Sequence, residues 1–172
     1  MSKTILVLAA NPLDTDRLRL DEEIREINAG LRRASNRDDY VLQSMVAARP
    51  EDVRRAMLDY KPNIVHFCGH GSGARGIAFE DQSGNSMLVT SETLSGFFRL
   101  FAEEVQCVLL NACYSESQAE AIAEHIEYVV GMDGSVDDAK AIQFAVAFYD
   151  AMGSGRTVEF AYELALNATQ WD

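Results

Sequence analysis

The sequence is short of cysteine and of long apolar runs, and each shortage excludes a class of protein. It has three cysteines, and an odd number in a chain without an export signal argues against a disulfide framework. No apolar run approaches the roughly 20 residues that span a membrane. The opening segment MSKTILVLAANP lacks the small-residue cleavage site of a signal peptide. We therefore expect a cytoplasmic protein that does not bind membranes.

Basic residues are also scarce. The chain has 15 lysines and arginines against 27 aspartates and glutamates, for a net charge of −12. Such a balance argues against nucleic acid and anionic membrane surfaces as partners. It favours basic substrates or basic partner surfaces, although most of the charge is expected to be solvated surface.

The chain is long enough to bury a full core, with 172 residues of which 48 % are hydrophobic. It has no repeat, low-complexity tract or linker, so one domain over residues 1–172 is expected. Short apolar runs alternate with helical patterns, which predicts a three-layer α/β sandwich with a mostly parallel sheet. The predicted sheet strands are 4–9, 40–46, 63–67, 105–110 and 128–132, and a hairpin is predicted at 76–80 and 87–89.

The helices are predicted from caps and apolar faces. Asp14 or Thr15 is expected to cap the first helix, whose apolar face is expected to exclude Glu23. Ser91 is expected to cap a later helix. The helix at about 138–152 is apolar nearly all round, which predicts burial on more than one side.

The most informative stretch is the apolar run 105–110 together with the polar segment directly after it. The run stops at Asn111 and reaches Cys113 two residues later. Ser115 and Gln118 have the spacing of a capping box, so a helix is expected to begin here. Cys113 is thereby placed between a strand and a helix, at the edge of the sheet where α/β proteins bind ligands.

A second candidate lies at the end of another predicted strand. His70 stands between Gly69 and Gly71, just past the run 63–67. A histidine here is placed to take a proton from the Cys113 thiol and to return it to a leaving amine. The N–H groups of Gly71 and Cys113 are candidate donors to the oxyanion that such an attack creates.

A zinc site is the strongest alternative for the same residues. The N2S2 ligand set would be His66, Cys68, His70 and Cys113. Gly69 and Gly71 argue against it, because they indicate that the strand ends before the third ligand. We therefore expect no metal, with Cys68 and Cys107 as buried thiols and His66 as a histidine of the core or one that supports the site residues from behind. The glycines after His70 match no phosphate-binding pattern.

Three segments resemble a known family. IVHFCGHG, CVLLNACYS and the tail VVGMDGSVDDAKAIQFAVAFYDAMGSGRTVEFAYELA are similar to the signatures of CHAT domains, caspase-like cysteine proteases of clan CD that are common in bacteria. The resemblance extends over about residues 4–168. It implies a caspase–hemoglobinase fold and peptide-bond hydrolysis without a cofactor, with His70 as the catalytic histidine and Cys113 as the nucleophile.

The resemblance also implies that specificity is set by loops after the first, fourth and fifth strands, where Asp14, Asn111 and Asp133 lie. Relatives that cut after arginine or lysine often have aspartate two residues before the cysteine, where this chain has Asn111. Acidic residues near the predicted cleft still favour a basic residue before the cut. Asp133 is the expected contact. Asp138, from the family's Asp-x-x-Ala-x-x-Phe pattern, is a second candidate that is also placed to cap a helix.

The function that the sequence predicts is a cysteine endopeptidase with a Cys113–His70 dyad, acting on a protein or peptide in bacterial signalling or defence. CHAT domains usually lie beside other modules, so a sensor or repeat module in the same chain or another is an expected partner. The alternative is a non-catalytic caspase-like module for protein interaction. A zinc-binding or nucleotide-binding domain is the third possibility.

Overall fold

The strands form where the sequence has its short apolar runs. Their bounds are β1 Lys3–Ala9, β2 Tyr40–Met45, β3 Ile64–Cys68, β4 Ile77–Glu80, β5 Ser86–Val89, β6 Cys107–Asn111 and β7 Tyr128–Val130. The computed structural model describes residues 2–171. Five strands form one sheet in the order β2-β1-β3-β6-β7, and each neighbouring pair is parallel. The predicted parallel sheet is confirmed.

Helices cover both faces of this sheet. They are α1 Leu20–Arg33, α2 Pro50–Tyr60, α3 Ser91–Leu100, α4 Glu116–Ile122, α5 Asp138–Gly153 and α6 Val158–Ala168. One core lies between the sheet and α2, α3 and α4. The other lies between the sheet and α1, α5 and α6. This is the predicted three-layer sandwich. Within residues 2–171, no helix is long and apolar enough to cross a membrane.

The predicted hairpin is also present. Strands β4 and β5 pair antiparallel, from Ile77 opposite Val89 to Glu80 opposite Ser86. The hairpin is joined to the end of β3 by an isolated bridge between Gly71 and Ile77. It therefore packs over one face of the sheet, next to the segment after β3.

Helix α5 is buried on more than one side, as its composition predicts. Its buried residues include Ile142, Phe144, Phe148 and Tyr149. Phe144, Phe148 and Tyr149 pack against the sheet, α1 and α6 in a single apolar cluster. Burial on more than one side explains why this helix carries so few charges.

The predicted cap of the first helix is wrong. Helix α1 begins at Leu20 with no side-chain cap. Asp14 instead accepts hydrogen bonds from the N–H and hydroxyl of Ser86 at 2.8 and 2.9 Å, which lower the pKa of its carboxyl group. The hydroxyl of Thr15 bonds within its own loop. The loop after β1 therefore holds the hairpin rather than starting the helix.

Two other caps lie one residue before the expected position. Thr90 rather than Ser91 caps α3, and Asp137 rather than Asp138 caps α5 through the Lys140 N–H at 2.8 Å. Both caps therefore use a side-chain oxygen on the residue that precedes the helix. The carboxylate of Asp138 is left for other contacts.

Candidate active site

The sheet register brings the two strand-end segments together. Strands β3 and β6 are parallel neighbours, and Cys68 is paired with Asn111 at their carboxyl ends. His70 and Cys113 each lie two residues beyond this last pair. Both line a cavity of about 50 Å³, here called the edge cavity. Its lining includes the polar residues Glu23, His70, Asn111, Cys113 and Asp138 and the loop residue Val136.

The hydrogen bonding of His70 fixes its tautomer. Its Nε2 lies 2.6 Å from the main-chain oxygen of Asp16, in the loop after β1. A carbonyl oxygen only accepts hydrogen bonds, so Nε2 carries the proton. The Nδ1 atom of neutral His70 is then unprotonated and is the basic nitrogen of the ring.

Cys113 differs from the other two cysteines. It is half-buried, whereas Cys68 and Cys107 are buried in the sheet. Burial raises the pKa of the Cys68 thiol well above its usual value and raises the pKa of Cys107 to about 12. The Cys113 sulfur lies 3.3 Å from the N–H and 3.4 Å from the oxygen of Val136. It is the accessible thiol among the three.

Main-chain and hydroxyl contacts hold the turn around Cys113. Tyr114 has a left-handed backbone with φ 53°, and its N–H donates to Gly134 at 3.0 Å. The Ser115 hydroxyl accepts from the Met132 N–H at 3.0 Å and lies 2.8 Å from the Ala112 oxygen. The turn that carries Cys113 is thus hydrogen-bonded to the loop after β7.

The predicted capping box is therefore wrong, although α4 does begin at Glu116. The Ser115 side chain makes no cap hydrogen bond, because its hydroxyl is used by the turn. Gln118 points away from the helix start and donates to the Gly73 oxygen at 2.8 Å. Both side chains bond to residues distant in the sequence instead of to the N-terminus of α4.

Gly71 lies directly against the main chain of Cys113. A Cβ atom at this position would be 2.1 Å from the Cys113 carbonyl oxygen. Within residues 2–171, the N–H groups of Gly71 and Cys113 have no hydrogen-bond acceptor. The flanking bonds, from Ala78 to His70 and from Ser72 to Gly76, leave the Gly71 N–H facing away from the hairpin.

Beneath this edge lies a buried polar network that sequence reasoning missed. Glu23 Oε2 is 2.6 Å from His66 Nε2 and 3.1 Å from Asn111 Nδ2. His66 Nδ1 is 3.1 Å from the Tyr149 hydroxyl. Glu23 is only 2 % exposed, so its expected place off the buried face is wrong. Its position could have been predicted from its spacing. Glu23 lies three residues after Leu20 and four before Ile27, both of which are buried, so it shares their face of the helix.

Two residues of this network, together with Cys68, form the one group of potential metal ligands found within residues 2–171. The ligand atoms of Glu23, His66 and Cys68 lie within 4.8 Å of one another. This set differs from the alternative set drawn from the sequence, which needed His70 and Cys113. His66 is fully buried, and both of its nitrogens already have hydrogen-bond partners.

Of the four candidate substrate-binding residues, two line the edge cavity and two do not. Asn111 lines it and also donates to the Ala141 oxygen at 3.0 Å. Asp138 lines it and accepts from the N–H and Nε of Arg19 at 2.9 and 3.2 Å. Asp133 is exposed and lies on a neighbouring groove. Asp14 is bound to the hairpin, so we do not place it in the substrate site.

Comparisons with known proteins identify the family of this chain. The sequence profile of the CHAT domain family matches residues 2–170. A protein named "Probable protease" from Gillisia limnaea is 24 % identical over 174 residues, which cover 99 % of this chain and 31 % of that protein. A "Roc-COR-CHAT protease" from an unknown prokaryotic organism is 25 % identical over 176 residues, covering 97 % of this chain and 16 % of the relative. The chain therefore spans less than a third of either relative.

A solved structure has the same fold. The secreted C11 cysteine protease from Bacteroides thetaiotaomicron, in complex with an irreversible peptide inhibitor, aligns with a TM-score of 0.65 and 13 % identity. The alignment covers 95 % of this chain and 57 % of that protease. The caspase-like fold expected from the resemblance is confirmed.

Proposed function

Because this chain belongs to the CHAT domain family, we propose that it is a cysteine endopeptidase in which Cys113 is the nucleophile and His70 the general base. The observation that carries the proposal is the register of β3 and β6. It brings a half-buried thiol and a histidine of fixed tautomer to one cavity. A nucleophile beside an oriented base is the arrangement that acyl transfer requires.

The proposed reaction is acyl transfer through Cys113, with His70 moving the protons. His70 Nδ1 takes the thiol proton as the Cys113 sulfur attacks the scissile carbonyl carbon. The carbonyl π electrons move to oxygen, and the N–H groups of Gly71 and Cys113 stabilise this oxyanion. When the C–N bond breaks, His70 gives its proton to the leaving amine and a thioester remains. Water deprotonated by His70 then attacks the thioester and releases the carboxylic acid and the thiol.

The contact between Cys113 and Val136 favours a regulated enzyme. Both polar main-chain groups of Val136 lie against the sulfur, and this residue belongs to the loop after β7. The thiol must leave this contact to attack a substrate. A substrate or a partner module that shifts the loop would release it, consistent with a sensor or repeat module as the expected partner.

The substrate is a protein or peptide with a basic residue before the cut. Within residues 2–171, the lining of the edge cavity includes the carboxylates of Glu23 and Asp138 but no lysine or arginine, although Arg19, outside the lining, forms an ion pair with Asp138. Carboxylates in a cleft attract cationic groups. Asp138 lies in the cavity lining whereas Asp133 lies outside it, so we propose Asp138 rather than Asp133 as the acid that contacts the substrate.

A thiol-reactive peptide probe tests the nucleophile. We expect a lysyl chloromethyl ketone to label Cys113 in the native protein, and Cys68 and Cys107 only after denaturation, because both are buried with raised pKa values. Peptide mass spectrometry locates the label. The His70→Ala variant is expected to label at least about 10-fold more slowly. An unchanged rate in that variant would favour the non-catalytic module instead.

Substrate profiling tests the cavity acids. Matched peptides carry arginine, methionine, leucine or aspartate before the cut. We expect the arginine peptide to have the highest kcat/KM, and Asp138→Asn to reduce this preference about 10-fold, since it removes a cavity charge. Asp133→Asn is the matched control and is expected to change the preference less than about 2-fold. Faster cleavage of the leucine or aspartate peptide by the unsubstituted protein would end the acidic-pocket proposal.

A further inference from the structure

A second cavity lies on the opposite face of the sheet from α1 and α5. It has a volume of about 110 Å³, and we call it the hairpin cavity. The sheet, α2, α3 and the β4–β5 hairpin each contribute to its wall. Representative lining residues are Leu8, Val53, Phe67, Phe79, Leu94 and Leu110.

The hairpin cavity has the chemistry of an apolar binding site. Its lining side chains are hydrophobic apart from that of Thr93. Cavities of this kind stay dry, and an engineered apolar cavity of about 150 Å³ binds benzene. Thr93 is exposed and Phe97 is partly exposed. A mouth beside these residues therefore connects the cavity to solvent.

The hairpin cavity is also connected to the active site. Ile77 lines it and forms the bridge to Gly71. On either side of that bridge, Ala78 donates to the His70 oxygen at 3.0 Å and Ser72 donates to the Gly76 oxygen at 2.9 Å. If the hairpin moves away from the sheet, one wall of the cavity and these two hydrogen bonds are lost together.

We propose that the hairpin cavity is a regulatory site for a small apolar ligand about the size of one aromatic ring, and that occupancy stabilises the His70–Gly71 segment. A ligand that contacts Ile77 and Phe79 binds only while the hairpin is closed. Binding therefore shifts the population toward the closed hairpin. This inference does not depend on peptidase activity.

Benzene is the probe, and pyrimidine, which has a similar size but is polar, is the control. We expect saturating benzene to raise the melting temperature of the purified chain by a few degrees and pyrimidine to leave it unchanged. We also expect hydrogen exchange at the Ala78 and Ser72 amides to slow several-fold. The Ser154 amide, which bonds at the distant end of α5, serves as an internal reference.

A cavity-filling variant, Val53→Leu, is expected to weaken benzene binding at least about 5-fold because the added methylene takes up part of the volume. If that variant folds poorly, NMR contacts between benzene and the Phe79 or Leu94 side chains in the unsubstituted protein locate the ligand. Absence of both a melting shift and these contacts would overturn the binding site. Binding without slower exchange at Ala78 and Ser72 would overturn its connection to His70.

Discussion

Replacing Cys113 with alanine is expected to abolish peptide hydrolysis and to leave the fold intact. No other accessible thiol lies in the edge cavity within residues 2–171, so no group replaces the lost nucleophile. The expected fall in kcat is at least about 1,000-fold. In the His70→Ala variant kcat is expected to fall by a similar factor, because the thiol then has no base to take its proton. Neither side chain is buried in the core, so the melting temperature should change little.

Cys107→Ala is the matched control for this experiment. Cys107 opens strand β6 and is buried in the apolar cluster between the sheet and α5. Its replacement leaves a small cavity, so we expect a loss of about 1–2 kcal/mol in the free energy of unfolding with unchanged kcat. Steady-state kinetics and urea denaturation separate the two effects. Full activity in the Cys113→Ala protein would end the assignment of the nucleophile.

The parts of the fold that sequence predicted are those that depend on local pattern. Runs such as 64–68 and 107–111 are apolar and short, and they form inner strands of a parallel sheet because both faces are covered. The order of strands and helices then limits the topology. Placing His70 and Cys113 at the same edge needed only that their strands be parallel and that each residue come just after a strand end.

The details that sequence missed depend on partners distant in the chain. Ser115 and Gln118 have the spacing of a capping box, but Ser115 bonds to Met132 and Gln118 to Gly73. Asp14 similarly binds Ser86 rather than a helix start. A polar side chain takes the geometry that satisfies most of its donors and acceptors. Local spacing cannot reveal acceptors that the fold brings in from elsewhere.

Glu23 shows the same limit at the candidate site. Its spacing from Leu20 and Ile27 places Glu23 on the buried face of α1. A buried carboxylate, however, requires a hydrogen-bonding or charged partner. That partner, His66, lies 43 residues along the chain. The network also holds Asn111 from beneath. The neutral Asn111 side chain that lines the cavity is thus hydrogen-bonded to a buried carboxylate from helix α1.

Replacing Gly71 with alanine is expected to reduce kcat by at least about 100-fold, the effect of losing an oxyanion donor. The cause is steric, because the added Cβ would lie 2.1 Å from the Cys113 oxygen and 3.2 Å from its carbonyl carbon. Both are backbone atoms, so no side-chain rotation relieves the clash. The two segments must separate, which displaces the Gly71 and Cys113 N–H groups from the oxyanion position.

Gly73→Ala is the matched control in the same loop. Gly73 has a φ of +61°, but nothing lies within 4 Å of an added Cβ. Alanine there is expected to lower stability by about 1 kcal/mol through backbone strain while kcat stays within about 2-fold of the unsubstituted value, since the oxyanion donors keep their places.

Alkylation by iodoacetamide separates a lost oxyanion hole from a lost nucleophile. That reaction displaces iodide at a saturated carbon and forms no oxyanion, so it reports only the reactivity of the Cys113 thiol. In Gly71→Ala we expect alkylation of Cys113 to slow far less than peptide turnover, because His70 still serves the sulfur. Equal losses in the two reactions would mean that the substitution disables the dyad itself. Unchanged turnover would show that the Gly71 N–H does not stabilise the transition state.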